Sequence, residues 1–403
     1  MTEYFLSLTP EKPLRTGTVK PRGDYLDTRD YVPGSVLRGA LAEWLKLQGQ
    51  AHNILPLVQK VRFGNFFPTL SERVWSLPFP MTALECKLHN GFRQIPKSSK
   101  GEEPGHGIRD SLLIALAYAE LEKLGARFPV PMLLRCTHEK DGEKCGGRME
   151  RVSGFYAALP EGWQSIKTRK SLQTKVALSR HRRAAQEGML YRVVGMRPVG
   201  SFVGRLWAED DAIVEELKQA VEHVGVGALT TRGFGTAQLK ETEPSVAPLQ
   251  ERLHEFNAKL REVWRDLAAL AQQGNASPPL PDEPSGTYFS VDLLAPAILR
   301  DPQGLPTLKL WLNFNGQWLE PVFWATQPTF VGGFSTAWGL PKPTHLGTAM
   351  GSVYVFRVDK SPDDAELLLW LESLEAQGVG MRTDEGLGEV LICHPFHKEV
   401  MPV

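Results

Sequence analysis

Three cysteines in the first half of the chain have the residue type and surroundings of a structural metal site. Cys86 is followed by a histidine at Cys-x-x-His spacing, while Cys136 and Cys145 flank a short charged loop. Three thiolates and one imidazole complete a tetrahedral zinc centre. We therefore predict a structural zinc ion bound by these cysteines and one histidine; the alternative is three thiols without a metal. The candidates for the histidine are His89, His106 and His138.

The segment 162–186 carries the strongest charge signal in the sequence. It contains seven Lys and Arg residues and one histidine, and it contains no Asp or Glu. Binding to nucleic-acid phosphates needs clustered cations, whereas a solvated protein surface normally mixes both signs. We therefore favour contact with RNA or DNA over an ordinary solvent-exposed face. The candidate contact residues are Arg180, His181 and Arg182, followed by Tyr191.

A predicted helix start offers backbone N–H groups to an anion. Gly34 and Ser35 open a helix predicted over Val36 to Leu47, with Ser35 as its N-cap. The N-terminal end of a helix favours a phosphate because its N–H groups and dipole point outwards. Arg38 on the first turn adds a cation, or it makes a salt bridge within the protein.

A glycine-rich loop over 230–235 is the second such segment. Gly233 and Gly235 let the backbone approach a ligand closely. Arg232 supplies a guanidinium fork for phosphate, and Phe234 supplies a ring on which a base can stack. A tight turn between a helix and a strand is the alternative explanation for these glycines.

No convincing set of catalytic residues emerges from the sequence. It lacks a GxxxxGK[ST] phosphate loop, a His-Glu-x-x-His metal motif, a serine elbow and a dense cluster of carboxylates. One candidate general base remains for RNA cleavage. His181 lies beside Arg182 and Arg183, which could stabilise the charge that develops on phosphorus.

The elements that must position these residues fall into two parts. A helix is predicted over 249–271 from its apolar spacing, a Pro-rich linker follows at 274–281, and a strand begins at Tyr288. Residues 225–239 and 378–392 match at six of 15 positions, four of them glycine. Each copy follows a helix-like segment and precedes a strand-like one, which indicates two copies of one α+β unit.

The two parts differ in charge. Residues 1–240 contain 35 Lys and Arg against 25 Asp and Glu, and residues 241–403 contain 11 against 21. A basic part fits nucleic acid, and an acidic part fits a different partner. The chain has no apolar run of membrane-spanning length, no signal-peptide pattern and only four cysteines. We therefore expect a cytoplasmic protein with reduced thiols and no membrane partner.

Several of these motifs resemble those of CRISPR-associated RAMP (repeat-associated mysterious protein) subunits. Val32–Leu41 looks like their PGSSLRGAL segment, and Arg232–Gly235 is similar to their glycine-rich loop. Ser179–Tyr191 looks like a segment of the type III-D Cas-five-like subunit. So do Cys86-Lys87 and His106–Asp110, which precede the pair of later cysteines.

The resemblance covers most of residues 1–240 and, more loosely, 288–392. It implies an α+β fold with two ferredoxin-like (RAMP/RRM-like) domains and a zinc-knuckle insertion in the first. The expected bounds are 1–245 for the first domain with the insertion at about 80–155, 246–287 for a helix and linker, and 288–403 for the second domain.

The resemblance also implies a non-catalytic subunit that grips the 5′ handle of CRISPR RNA at the base of a type III-D effector complex. Its partners would be CRISPR RNA, the backbone RAMP subunits and the large polymerase-like subunit. The family pattern favours His106 as the fourth zinc ligand, with His89 or His138 as alternatives. The predicted RNA-binding residues are Gly34, Ser35, Arg38, Arg180, His181, Arg182, Tyr191, Arg232, Gly233, Phe234 and Gly235.

Two other functions stay open at this point. One is a RAMP-fold endoribonuclease that processes precursor CRISPR RNA with His181 as general base. The other is a zinc-stabilised assembly scaffold that touches RNA little. Cleavage of repeat RNA distinguishes the first, and the salt dependence of handle-RNA affinity distinguishes the second.

Overall fold

The computed structural model describes residues 1–17, 25–93, 105–128, 132, 134–140, 142–160, 162–179, 181–197, 199–273, 277–335 and 339–400. The elements of the first part are β1 (Thr2–Pro10), β2 (Tyr25–Leu26), α1 (Gly34–Leu47), α2 (Ile54–Val58), β3 (Val61–Thr69), β4 (Leu77–Pro78), β5 (Ala83–Cys86), β6 (Ile108–Asp110), α3 (Leu112–Lys123), β7 (Glu139–Lys140), β8 (Glu143–Lys144), β9 (Met149–Arg151), β10 (Phe155–Leu159), β11 (Gly162–Ile166), β12 (Lys170–Ser179), β13 (Ala184–Met196), β14 (Ser201–Ala208), α4 (Asp211–Val224) and β15 (Ala237–Glu241).

The elements of the second part are α5 (Leu249–Gln273), β16 (Thr287–Leu293), β17 (Leu299–Arg300), β18 (Pro306–Thr307), β19 (Leu312–Phe314), β20 (Gln317–Leu319), β21 (Phe323–Ala325), β22 (Pro328–Ser335), β23 (Leu340–Thr348), β24 (Val353–Val358), α6 (Ala365–Gln377) and β25 (Val390–Ile392). Short 3-10 turns lie at Ala51–Asn53, Thr230–Arg232, Thr383–Glu385 and Pro395–Lys398. Among the described residues, no helix combines the length and the apolar character needed to cross a membrane.

The first sheet has the strand order β15-β1-β14-β3, with every neighbouring pair antiparallel. Along the chain, α1 lies between β1 and β3, and α4 lies between β14 and β15. This is the βαββαβ order of a split βαβ unit. Every residue of β3 and β14 is buried, because apolar clusters cover both faces of the sheet there. The predicted α+β class is confirmed.

The second sheet has the order β21-β24-β16-β25, which is the same order seen from the opposite edge. α6 connects β24 to β25, but the connection from β16 to β21 consists of the short strands β17 to β20 and loops. Instead, α5 packs against this sheet, and Phe256 and Leu260 share its core with Tyr288. The helix predicted over 249–271 is confirmed. The division at 1–245, 246–287 and 288–403 into two ferredoxin-like domains stays a prediction.

Helix α3 belongs by sequence to the predicted insertion at about 80–155, yet it packs in the second part of the molecule. Leu113 and Leu116 lie in one apolar cluster with Leu260 and Trp264 of α5. The sequence of α3, LLIALAYAELEK, is apolar around most of the helix. A helix of that kind must be covered on several sides. The insertion is therefore not a separate module, because one of its elements completes the core of the other part.

The similarity between residues 225–239 and 378–392 is reproduced in the backbone. In both copies the residue before the 3-10 turn is left-handed, with φ of 66° at Leu229 and 61° at Arg382. The glycine after each turn is left-handed as well, at 85° for Gly233 and 84° for Gly386. The predicted repeat of helix, glycine loop and strand is confirmed.

A buried carboxylate joins the two sheets. Glu389 is fully buried, and its Oε2 accepts hydrogen bonds from the Asn65 backbone N–H at 2.8 Å and from Asn65 Nδ2 at 2.9 Å. The Nε of Arg205 donates to Glu389 Oε1 at 3.3 Å, and Arg205 is only 3% exposed. Asn65 lies on β3 and Arg205 on β14, whereas Glu389 directly precedes β25. The contact therefore crosses from one sheet to the other.

A second arginine on β3 caps a helix across the same junction. Arg62 donates from Nη1 to the Glu375 carbonyl at 2.7 Å and to the Ala376 carbonyl, both in the last turn of α6. Carbonyl groups at a helix C-terminus lack partners within the helix and favour a cation. The guanidinium lies over the Trp207 ring at 4.1 Å. Burial lowers the pKa of Arg62 to about 10.

A buried ionic network fastens the C-terminal 3-10 turn. His397 Nε2 lies 2.9 Å from Asp292 Oδ1 on β16, and its Nδ1 lies 3.2 Å from Asp110 Oδ2 on β6. Burial alone would lower the pKa of His397, but the two carboxylates outweigh it and raise the pKa to about 10. Burial lowers the pKa of the neighbouring His394 to about 3, and this ring is hydrogen-bonded to Tyr156 Oη.

These two histidines predict a maximum of stability near pH 6.5. His397 holds its proton more tightly in the folded state, so its contribution is complete below 6.5 and is lost as the pH rises towards 10. His394 is neutral when folded and charged when unfolded, so stability also falls as the pH drops from 6.5 towards 3. Urea unfolding across this range measures both slopes.

The variant His397→Gln is expected to be less stable and to lose the decline above pH 6.5. The matched control is His52→Gln, since His52 is exposed on a surface turn. The control should keep the wild-type pH profile. An unchanged alkaline slope in His397→Gln would contradict the assignment of that slope to the buried network.

Candidate nucleic-acid interface and metal centre

Three thiols and one imidazole meet within the first part of the molecule. The ligand atoms of Cys86, His106, Cys136 and Cys145 all lie within 4.8 Å of one another. Cys86 Sγ is 3.8 Å from Cys145 Sγ, and Cys136 Sγ is 3.3 Å from His106 Nδ1. With zinc–sulfur bonds of about 2.3 Å and zinc–nitrogen bonds of about 2.0 Å, tetrahedral ligand atoms lie about 3.4–3.8 Å apart. This cluster could therefore bind a metal ion.

A tight hairpin sets the last two cysteines in place. The Cys136 N–H donates to the Gly147 carbonyl at 2.9 Å, and the Cys145 N–H donates to the His138 carbonyl at 2.8 Å. The Gly146 N–H donates to the Cys136 carbonyl at 3.0 Å. A Cβ added at Gly147 would lie 3.2 Å from the Cys145 Sγ. The absence of a side chain at Gly147 therefore leaves room for the sulfur atoms.

The two alternative histidines lie against the fourth ligand instead of joining the cluster. The His89 ring stacks on the His106 ring with a centroid separation of 4.2 Å, and the His138 ring also stacks on the His106 ring, at 4.1 Å. Stacking of this kind restricts rotation of the His106 imidazole. The sequence order alone could not separate the three histidines, because the choice depends on how β5, β6 and the hairpin pack.

The first turn of α1 differs from the predicted N-terminus. The helix begins at Gly34, and Pro33 precedes it without a side-chain cap, so the prediction of Ser35 as N-cap is wrong. The physical reason is the close packing of Gly34 on β3. A Cβ there would lie 2.3 Å from the Phe63 carbonyl oxygen, and the Gly34 N–H donates to Asn65 Oδ1 at 3.3 Å. Ser35 is exposed within the first turn.

Arg38 makes the salt bridges that formed the alternative to a phosphate contact. Its Nη2 lies 3.0 Å from Asp384 Oδ2, and its Nη1 lies 3.4 Å from Glu385 Oε1. Burial alone would raise the pKa of Glu385, but Arg382 and Lys342 outweigh it and hold the pKa below its usual range. The second glycine loop therefore presents carboxylates to α1. A role for Arg38 in binding RNA stays a prediction.

A cleft of about 210 Å³ opens between the start of α1 and the second glycine loop. Ser35 lines it, together with residues from segments 29–33, 329–332 and 382–387 and with Asn65 and Pro296. These further residues include Arg29, Tyr31, Phe330 and Arg382. Tyr31 adjoins the segment Val32–Leu41 and Arg382 lies in the second glycine loop, whereas Arg29 and Phe330 belong to no recognisable motif. These two come together through the tertiary fold, so no local spacing could have identified them.

The first glycine loop lies against the basic segment, which forms the hairpin of β12 and β13. Arg232 Nη1 donates to Tyr191 Oη at 3.2 Å, and Lys175 Nζ donates to the Arg232 carbonyl at 3.3 Å. A Cβ at Gly233 would meet no atom within 4 Å, whereas one at Gly235 would lie 2.7 Å from the Val226 carbonyl oxygen. The structure thus brings Tyr191 and the loop residues together. Gly233 faces open space, and Gly235 is required for packing.

The expected stacking role of Phe234 is wrong. Phe234 is 2% exposed, so its ring faces are not available to a nucleic-acid base. A Cβ at Gly195 would lie 2.8 Å from the Phe234 ring, and the Lys175 ammonium lies 4.8 Å from the ring centroid. The ring therefore packs in the core beneath β13. Tyr191, which is half-buried, is the aromatic side chain that borders this surface.

The turn of the basic hairpin carries His181 and Arg182, and both are exposed. Arg180, the other predicted contact, lies outside the described residues. At its base, the hairpin contacts the segment that lines the cleft. Lys170 Nζ lies 2.9 Å from Asp30 Oδ1 and donates to the Thr28 carbonyl at 3.1 Å. The hairpin, the segment 28–31 and the cleft are therefore contiguous.

Replacing Phe234 with alanine should destabilise the fold because the ring is buried. Loss of a buried phenylalanine costs about 3–5 kcal/mol of unfolding free energy. The matched control is Tyr191→Phe, which removes only the hydroxyl that accepts from Arg232 and should cost under about 1 kcal/mol. Urea unfolding measures both changes. A near-neutral Phe234→Ala would contradict the core role of this ring.

Two family models match the sequence. The model of the RAMP superfamily matches residues 7–238. A model described as CRISPR-associated protein (Cas_Cmr3) matches residues 168–395. Each match covers more than half of the chain, and together they span both glycine loops and both sheets. No curated protein matches the sequence.

Several solved structures align with most of the chain at low similarity. A chain of the type III-B Cmr-beta complex bound to cognate target RNA aligns over 92% of this chain and 89% of its own, with 11% identity and a TM-score of 0.40. A chain of the same complex bound to cognate target RNA and AMPPnP aligns over 87% and 86%, with 10% identity and a TM-score of 0.36.

A chain of the Csm3-Csm4 subcomplex in the type III-A CRISPR-Cas interference complex aligns over 90% of this chain and 96% of its own. The identity is 14% and the TM-score is 0.35. TM-scores at this level carry no argument about function. Membership of the family rests on the two family models that match the sequence.

Proposed function

Because the chain belongs to the RAMP superfamily and to the CRISPR-associated Cas_Cmr3 family, we propose that it is an RNA-binding subunit of a type III CRISPR effector complex. In this role it grips the 5′ handle of CRISPR RNA at the base of the complex and does not cut RNA. The D subtype and a cytoplasmic location belong to the same proposal.

The observation that carries the proposal is the packing of the first glycine loop on the basic hairpin. Arg232, Lys175 and Tyr191 are held together by hydrogen bonds, so a guanidinium, an ammonium and an aromatic ring border one surface. Guanidinium groups bind phosphate oxygens bidentately, and aromatic rings stack on unpaired bases. Arg182 extends this cationic surface at the exposed turn.

The two glycine loops support different roles despite their common backbone. The first loop presents Arg232 and the open Gly233, whereas the second presents Asp384 and Glu385, which are engaged by Arg38. The exposed Arg232 of the first loop attracts a phosphate, whereas the cations at the second loop are already paired with its carboxylates. We therefore propose that the first loop is the one that contacts RNA.

The cleft beside α1 extends the same surface towards the second part. It combines the exposed Ser35 at the start of α1 with the guanidinium of Arg29. Single-stranded RNA is recognised through splayed bases, stacking rings and phosphate contacts. In this proposal, a phosphate of the handle lies towards Ser35 and Arg29.

The remaining partners in the proposal are proteins. The acidic composition of residues 241–403 favours contact with other subunits over contact with RNA. These subunits are the backbone RAMP proteins and the large polymerase-like subunit. For the metal, we propose zinc, because three thiolates with one imidazole form a closed, tetrahedral set typical of structural zinc.

Neutralising the cationic surface should weaken binding of handle RNA. In the variant Arg182→Gln/Arg232→Gln, the slope of log affinity against log salt should fall by about 0.7 for each lost single-strand phosphate contact. The matched control is Arg261→Gln/Arg265→Gln on α5, which removes the same charge from the other part of the molecule. Equal losses in both variants would mean that net charge alone governs binding.

The same RNA should stay uncut by the wild-type protein, with or without divalent metal. Cleavage that is abolished in His181→Ala would replace the proposal with the endoribonuclease. An affinity for handle RNA that does not change with salt would favour the scaffold, because phosphate contacts release counterions.

The purified protein should contain about one zinc ion per chain. Cys145→Ser should lower the zinc content to near zero and lower the melting temperature, because a structural metal contributes directly to folding. The matched control is Cys393→Ser, since Cys393 is buried beside β25 in the second part and outside the cluster. Metal analysis under reducing conditions measures both, and a zinc-free wild-type protein would contradict the metal assignment.

A further inference from the structure

The hairpin of β22 and β23 exposes an apolar face in the second part of the molecule. Its cross-strand pairs include Phe330 with Leu346 and Phe334 with Pro341. Phe330 is 64% exposed, Phe334 61% and Leu346 42%. Phe330 and Phe334 lie four residues apart on one strand, so both point to the same side of the hairpin. We call these four residues the apolar hairpin face.

The hairpin lies in a nearly uncharged stretch of an otherwise acidic part. Residues 321–356 contain one lysine and no Asp, Glu or Arg. That lysine, Lys342, is paired with Glu385 of the second glycine loop at 2.7 Å. Depletion of charge with enrichment of aromatic side chains is typical of the centre of a protein–protein interface.

The base of the hairpin is firmly anchored. Ala297 and Thr348 exchange backbone hydrogen bonds of 3.0 and 2.8 Å, and Val331 is 5% exposed on the inner side. A Cβ at Gly347 would lie 2.5 Å from the Ala297 carbonyl oxygen, which shows how closely the base packs. Beyond the bridge between Ala297 and Thr348, β22 and β23 pair only with each other among the described residues. A two-stranded ribbon in water is marginally stable unless something covers its apolar face.

The edges of this hairpin are poorly suited to strand addition. Pro328, Pro341 and Pro343 lack the N–H groups that an added strand would need. A register shift between Val331 and Gly333 further disrupts the ladder. A partner would therefore recognise the side chains of the face and not the edge of the ribbon.

RNA is a poor occupant for this face. Binding to a phosphate backbone needs cations, and the single lysine here is already paired. The hairpin of β12 and β13 gives the contrast, because residues 170–196 contain six Lys and Arg residues against one Glu. The two hairpins therefore differ in charge. The basic hairpin of β12 and β13 suits RNA, and the uncharged hairpin of β22 and β23 suits a protein.

We infer that the apolar hairpin face docks a protein, namely another subunit of the effector complex that presents an uncharged apolar groove. This inference rests on the proposed function as a subunit of such a complex. Phe334 and Leu346 are the anchors that enter the groove, since aromatic and aliphatic side chains at the centre of an interface contribute most of its affinity.

The test uses the full chain and the complex that lacks it. The remaining subunits are purified with CRISPR RNA from a strain without this chain, and the purified chain is titrated into them. Phe334→Ser/Leu346→Ser should bind this subcomplex about 30-fold more weakly than wild type or worse. Its affinity for isolated handle RNA should be unchanged.

Two control variants keep the result interpretable. Leu47→Ser/Leu55→Ser removes two equally exposed leucines from the first part and should bind the subcomplex normally. Phe334→Leu/Leu346→Met keeps the face apolar and should retain most of the affinity. Thermal melts of all variants should match, because the changed side chains are largely exposed.

Four outcomes would overturn the inference. Wild-type affinity of the Ser variant for the subcomplex would remove the docking role. Weakened RNA binding with normal docking would assign the face to RNA. A wild-type dimer in solution that the Ser variant loses would assign it to a second copy of this chain. Failure of the wild-type chain itself to bind the subcomplex and the RNA would refute the proposed function, and the inference with it.

Discussion

The buried carboxylate of Glu389 is the interaction on which the relation between the two sheets depends. It is fully buried and accepts hydrogen bonds from Asn65 and Arg205, so both strands of the first sheet at this junction are tied to the strand that follows Glu389. Removing one partner of such a group leaves an uncompensated buried charge, which costs about 3–5 kcal/mol. The cleft, the second glycine loop and the position of α1 all lie beside this contact.

The common backbone of the two glycine loops is exploited for two purposes. Left-handed residues at Leu229 and Arg382 give both loops the same path. The second loop is pressed on the first sheet, and a Cβ at Gly386 would lie 3.0 Å from the Phe63 carbonyl oxygen. Its acidic side chains hold Arg38, while the first loop stays on the outside with a basic side chain. Of the two copies of this unit, the second loop therefore forms a contact inside the molecule, and the first loop forms part of the surface.

The local features of the sequence were predictable, and the long-range contacts were not. The glycine pattern at 225–239 and 378–392 and the apolar spacing of α5 follow from neighbours in the chain, so they could be read directly. The three cysteines could be selected because thiols are rare and chemically distinctive, whereas the choice of His106 among three histidines came from the family resemblance.

The errors share a physical cause. Ser35 was expected to cap α1, but the packing of Gly34 on β3 sets the start of the helix. Phe234 was expected to be exposed, but the glycine at 195 leaves a space that its ring fills. Both outcomes depend on strands far away in the chain. A short stretch of sequence around Ser35 or Phe234 does not include the strand that determines its surroundings.

The position of α3 has a consequence for the synthesis of the chain. Its apolar side chains are completed by α5 and the second sheet, which are made much later than α3 itself. At about 5–20 residues per second, a ribosome needs on the order of ten to thirty seconds to pass from α3 to the end of β16. During that time the nascent chain carries an uncovered apolar helix, while the first sheet itself still needs β14 and β15. A chaperone that shields this helix on the ribosome would therefore protect the molecule at its most vulnerable stage.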